Sequence, residues 1–184
     1  DRAIKSALLE SIRSEREFFI KAHQNLDAAS EALVERIQNF EEWQGKRLWF
    51  RDLKGQYQYP LAGGRISKSY GNHTHPRFGT VTMHRGITMV PGRTGNRTVR
   101  VLYWGKVVYA DWLRGYGKTL IVDHTKGDYT VYAHLSEMQV GVGDVLRSRQ
   151  PIGVIGRTGS LEEESLYFEL RLDGRPVNPY RWFR

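Results

Sequence analysis

The sequence predicts a mainly β domain, built as an antiparallel sheet and preceded by a long α-helix. Three observations predict it. From Ile4 to Trp43 no Pro or Gly interrupts the chain, and apolar residues recur there three or four positions apart. Beyond Trp43 the texture changes, and all six prolines lie in that part. Glycines and prolines there punctuate short runs rich in Val, Ile, Tyr and Thr, as strands joined by tight turns require.

The helical seam is Ile4, Leu8, Ile12, Phe19, Ala22, Leu26, Ala29, Leu33, Ile37 and Phe40. A helix of about 40 residues rises about 60 Å at 1.5 Å per residue. One small domain cannot cover it, so it is expected to pair with another helix or to lie across the domain that follows. Periodicity leaves a plain coiled-coil stalk and a regulatory arm equally open. The predicted boundaries are residues 1–44 for the helix, which Gly45 ends, 45–60 for a linker or lead-in, and 61–184 for the β domain.

The strand candidates are Arg100 to Trp112, Lys118 to His124, Tyr129 to Leu135 and Leu166 to Leu172. Strand side chains alternate between faces. In the last segment Leu166, Phe168, Leu170 and Leu172 are therefore expected to face the core, leaving Ser165, Tyr167, Glu169 and Arg171 on the other face. By the same rule Val131, Ala133 and Leu135 point inward, and Thr130, Tyr132 and His134 outward.

With 40% hydrophobic residues and 12% aromatics, the 184 residues can build a real core. No apolar run approaches the roughly 18 to 20 residues of a bilayer span. The chain opens at Asp1 with no basic-then-apolar leader, which reads as a trimmed fragment. The absence of cysteine removes disulfide and thiolate chemistry. Residues 1–43 hold six Lys or Arg and nine Asp or Glu, a net of −3, whereas residues 44–184 carry a net of +11. That field suits an acidic protein patch or an anionic envelope polymer. Nucleic acid is excluded as a partner, because the cations are scattered and no recognition motif is present.

Five stretches resemble the LytM or lysostaphin-like zinc endopeptidases that cut peptidoglycan cross-bridges. They are His84-Arg-Gly-Ile-Thr88, Gly115-Tyr-Gly117, Tyr132-Ala-His-Leu135, Gly153-Val-Ile-Gly-Arg-Thr-Gly159, and Ser165-Leu-Tyr-Phe-Glu169 followed by Pro176-Val-Asn-Pro179. The order and spacing are family-like. The resemblance implies the fold of that family, an antiparallel sheet groove of the duplicated hybrid motif type. Active members read H-x-G-x-D at the first stretch and H-L-H-F-E at the last; the His and Asp of the first and the second His of the last hold the zinc. In this sequence the Asp position is Thr88 and the two His positions are Ser165 and Tyr167. Of three implied zinc ligands only His84 remains, and His134 matches the family's other catalytic histidine. A catalytic zinc needs about three protein ligands and an open water position. The expectation is therefore a vestigial site with no metal, no cofactor and no catalysis. A site rebuilt from His73 and His75, or from Asp123 and His124, is the alternative, while Glu162, Glu163 and Glu164 read as a solvated loop.

Among degenerate members of the family the sequence most resembles the periplasmic activators of the N-acetylmuramoyl-L-alanine amidases that split daughter-cell walls. The carrying residues are Ala110-Asp-Trp-Leu-Arg-Gly-Tyr-Gly117, His124-Thr-Lys-Gly-Asp128 and Ser165 to Arg171. That resemblance implies a protein of the cell envelope at the division site, with the old groove as a docking surface for an amidase. The groove set is Arg85, Thr88, Tyr116, Tyr132, Tyr167 and Arg171, with Tyr167 and Arg171 expected to be free of packing duties. It also implies a division-complex membrane protein as partner for the N-terminal helix, and peptidoglycan itself as a further ligand. Two other classes stay open: an active zinc endopeptidase with an unorthodox site, and a structural protein that binds wall or scaffold.

Overall fold

The computed structural model describes residues 49–74, 81–160 and 163–184. The predicted helix of residues 1–44, together with His75 and Glu162, lies outside the described residues. The chain divides after Lys46, and its second unit runs from Arg47 to Arg184.

Among the described residues the β texture becomes twelve strands. In chain order they are β1 (Arg65–Lys68), β2 (Gly71–Thr74), β3 (Val81–His84), β4 (Ile87–Val90), β5 (Thr98–Arg100), β6 (Gly105–Leu113), β7 (Gly117–Asp123), β8 (Tyr129–Met138), β9 (Val145–Leu146), β10 (Pro151–Ile155), β11 (Leu166–Leu172) and β12 (Arg175–Val177). The main sheet runs β1-β4-β11-β8-β7-β6-β9, with β10 joining β5 to β8 and β12 extending β11. Every pairing in it is antiparallel. The β2–β3 ribbon is a separate two-stranded sheet. The fold is thus the mainly β antiparallel architecture the sequence predicts.

The expected strand from Arg100 to Trp112 is two strands. Between β5 and β6 the chain turns inward and buries Val101 and Leu102. Their amides leave the ladder for the Gln150 carbonyl and the Tyr132 hydroxyl.

Strand β11 obeys its predicted period. Leu166, Phe168 and Leu170 are wholly buried in the core. Strand β8 does not. Its pairing with β7 passes from Leu120↔Tyr132 to Lys118↔Leu135, so two residues of β8 oppose one of β7, and His134 takes a left-handed φ of 63°. That is a β-bulge, and it reverses which face a side chain takes. Before the bulge Tyr132 points into the core, 0% exposed and 5.3 Å from the Phe168 ring, while after it Leu135 does. The expected outward Tyr132 is therefore a core residue. Its hydroxyl accepts from the Leu102 amide at 2.9 Å and lies 3.1 Å from Thr130 Oγ1.

Of the predicted linker or lead-in, residues 45–60, the structure describes 49–60, and these pack on the domain. Phe50 (2% exposed) and Tyr57 are core residues, and Phe50 stacks on Tyr57, Trp182 and His124 at centroid distances of 5.0, 5.4 and 4.5 Å. Arg51 pairs with buried Asp128 at 2.6 Å and with Asp173 at 2.7 Å. Burial of Phe50 alone is worth about 1.5–3 kcal/mol, enough to hold the segment on the domain. The composition of a turn-rich stretch hid aromatic side chains that needed a partner at the other end of the chain.

Candidate functional site

Four aromatic rings meet at an open cleft of about 530 Å³, lined by Thr82, Met83, His84, Arg85, Gly115, Tyr116, His134 and Tyr167. Tyr167 stands at the centre. Its ring meets those of Tyr116, His84 and His134 edge-on, at 5.1, 5.4 and 6.1 Å.

Each ring is placed by a local feature. Tyr167 projects from β11 on the side away from Leu166 and Phe168, as period two requires. His134 is turned to the cleft by the bulge. Its Nδ1 lies 2.9 Å from the Thr158 carbonyl, which can only accept, so Nδ1–H is the donor. The His134 amide donates to the Tyr116 carbonyl at 2.9 Å. Thr158 also ties two strands together, since its Oγ1 accepts from the Lys118 amide at 3.0 Å and donates to the Leu135 carbonyl at 2.8 Å. This close approach requires glycine at positions 117 and 159. A Cβ at Gly117 would sit 2.2 Å from the Thr158 carbonyl oxygen, and both residues have positive φ.

Burial and charge set the protonation of the cleft. His84 is pushed down to about 4, first by burial and then by Lys68, His73 and His134. It is neutral at physiological pH, with Nε2 3.2 Å from Thr88 Oγ1. The Tyr167 hydroxyl donates to Glu169 Oε2 at 2.7 Å, and Arg171 Nε donates to Glu169 Oε1 at 2.6 Å. Burial and the Glu169 carboxylate hold the phenol well above its usual range.

The structure brings Arg85, Tyr116 and Tyr167 together with His84 and His134 in one cleft. Thr88 lies buried behind His84, Tyr132 is in the core, and Arg171 sits half-buried further along β11 as the counter-ion of Glu169. Tyr167, 5% exposed, is not free of packing duties. Its removal would leave Glu169 Oε2 without its donor while Arg171 still holds Oε1, and Arg171→Glu would set two carboxylates side by side. Sequence reasoning missed Glu169, Thr158 and Met83 as site residues. Period two had put Glu169 on the correct face, and the glycine-flanked Thr158 stretch had been seen, but neither signal states burial or contact.

The implied zinc does not fit these residues. Beside His84, the other two ligand positions hold a threonine, Thr88, and a tyrosine, Tyr167, whose proton is committed to Glu169, and the neighbouring catalytic-histidine position holds Ser165. Among the described residues no group of three or more His, Cys, Asp or Glu side chains could hold a metal ion. His124 is no substitute, because Trp104 O at 2.7 Å and Thr130 Oγ1 at 2.8 Å engage both its nitrogens inside the core. His73 Nε2 is 2.7 Å from the Ser69 carbonyl. Glu164 pairs with Arg97 at the surface.

The profile of peptidase family M23 matches residues 82–179. The murein hydrolase activator EnvC of Escherichia coli is 36% identical over 129 residues, 70% of this chain and 29% of that protein. The DD-carboxypeptidase/endopeptidase Mpg of Neisseria meningitidis is 35% identical over 120 residues, 65% of this chain and 27% of that protein. The chain thus spans about three tenths of the length of such relatives. Among solved structures, the catalytic domain of the antimicrobial peptidase lysostaphin from Staphylococcus simulans superposes with a TM-score of 0.56 at 26% identity, covering 65% of this chain and 92% of that one.

Proposed function

The chain belongs to peptidase family M23, and from that premise we propose that it is a non-catalytic activator of periplasmic N-acetylmuramoyl-L-alanine amidases in cell separation, engaging the amidase through the Tyr116–Tyr167 cleft. One observation carries the reading: where the resemblance puts a zinc-binding histidine stands Tyr167, its ring filling the site and its hydroxyl bonded to Glu169. That exchange replaces a polar metal site by an aromatic floor with Arg85 at its rim. Tyr and Arg are enriched among the anchors of protein interfaces. The name of the relative EnvC supports the activator role. In this reading the amidase offers a helix to the cleft, and its own active site is freed when that helix moves. Residues 1–44 form the arm that reaches a membrane protein of the division complex, and peptidoglycan is a weaker ligand.

The relative Mpg, a peptidase by name and as similar over a comparable share, favours a second reading as an endopeptidase. One experiment separates the two. Purified chain is incubated with cell wall, with and without an amidase, and soluble fragments are followed alongside elemental analysis of the dialysed protein. The expected result is release only with the amidase, faster than the amidase alone, and no stoichiometric zinc. Release by the chain alone, with one zinc per chain lost on replacing His84, would overturn the activator reading. A chain starting near Leu48, assayed in parallel, reports whether the arm restrains the cleft.

A further inference from the structure

We propose that the β2–β3 ribbon is the second wall of the docking cleft, and that its strip Val81, Met83 and Arg85 receives one apolar, acid-flanked face of a helix of the amidase. This deepens the reading above and rests on it. Among the described residues the ribbon pairs with no other strand, and four residue pairs hold it. A two-stranded ribbon of that size is marginal in water, so its side chains are expected to seek cover. They do so on one face only. By period two, Thr82 and His84 share a face, and on it the His84 ring meets Tyr167 at 5.4 Å and His73 at 5.8 Å. Val81 and Met83 share the opposite face and are left 61% and 47% exposed.

The occupant is argued from the cleft itself. Met83 and Arg85 are among its lining residues together with Tyr116 and Tyr167, so a chain seated on the tyrosines also touches the edge of the ribbon, and Val81, on the same face as Met83, continues that strip beyond the cleft. Alternate strand positions lie about 7 Å apart, close to the roughly 6 Å rise between residues four apart on a helix. A helix along β3 can therefore meet Val81 and Met83 with residues i and i+4. Among the described residues Arg85 is in none of the four ion pairs, and the part of the chain from residue 44 onward carries a net of +11. An acidic residue beside the apolar pair completes the match. Methionine adapts to the shape of what it meets, which suits a wall that closes on a partner.

The chain contains no cysteine, so the test uses single-cysteine variants Val81→Cys, Met83→Cys and Val142→Cys. Val142 is 67% exposed and does not line the cleft. Maleimide labelling of each is timed with and without saturating purified amidase, whose binding to the unlabelled chain is measured separately. Labelling at positions 81 and 83 is expected to slow by roughly tenfold or more, as burial under a partner does, with position 142 unchanged. Arg85→Glu is expected to weaken amidase binding by roughly tenfold. If the amidase binds and neither ribbon cysteine is protected, the second wall is overturned while the cleft reading stands. If the amidase does not bind at all, both fall. Shielding of both cysteines in the chain alone would assign the strip to another part of this same chain and overturn the partner assignment.

Discussion

His124 and His84 both lie against aromatic rings and are both pushed down to about 4, in each case first by burial, yet the clusters around them differ in what they leave unsatisfied. His124 stacks on Phe50 inside the core, and both its nitrogens have fixed partners. His84 is half-buried, has Thr88 beside one nitrogen, and lines an open cleft. A perturbed histidine is a common mark of a functional site. Here the mark is shared, and only the open side separates a site from a structural staple.

Three experiments break or sharpen that contrast. The largest effect is expected at the staple. Phe50→Ala removes a ring that touches His124, Tyr57 and Trp182, and should cost about 3–5 kcal/mol in urea unfolding. A cost under about 1 kcal/mol would show that the cluster is not core.

The next effect is pH-dependent and separates the two histidines. Each folded ring resists the proton that the unfolded chain takes up near pH 6.5. Between about 6.5 and 4 the unfolded state therefore holds more protons, so stability falls as pH falls through that window and levels off below it. Urea midpoints at pH 7.5, 5.5 and 4.5 measure the slope. His124→Gln should flatten it and also lower stability at pH 7.5 by about 1–3 kcal/mol, since its two buried partners lose their bonds. His84→Gln should flatten it with little cost at pH 7.5. An equal cost for both at pH 7.5 would erase the distinction.

The smallest effect on stability belongs to the cleft rim. Tyr116 is half-buried, and Tyr116→Ala should change stability by about 1 kcal/mol or less while weakening amidase binding roughly thirtyfold, as truncation of an interface anchor does. Wild-type binding by a folded Tyr116→Ala chain would remove the cleft from the docking surface. Tyr167→Ala is the poorer test, because it also removes a buried ring and the donor to Glu169 Oε2.

Much of this was legible in the sequence. The period-two pattern from Leu166 to Leu172 placed Leu166, Phe168 and Leu170 in the core, because side-chain alternation along a strand is a local property. The motif stretches that carry the family likeness were legible for a related reason, since Gly115, Gly117 and Gly159 answer to positive φ, and the last two also to close backbone approach. Tyr132 was misread because a single inserted residue at His134 inverts the alternation, and nothing in the local composition announces a bulge. The packing of the lead-in is not legible locally, because Phe50 meets Trp182 and Arg51 meets Asp128 and Asp173, which lie 77 to 132 positions away.

By itself, the sequence determined the β texture from about residue 61 onward, the order of the strands that carry the motifs, and the replacement of two implied ligand positions by Thr88 and Tyr167 and of a catalytic-histidine position by Ser165. Those follow from residue identity and short-range spacing. Only the tertiary structure decided that Tyr132 leaves the groove, that Glu169 is buried beneath it between Tyr167 and Arg171, that Thr158 holds His134 in place, and that Val81 and Met83 stay uncovered. Each depends on which strands become neighbours and in what register, and register is set by long-range pairing that no local pattern contains.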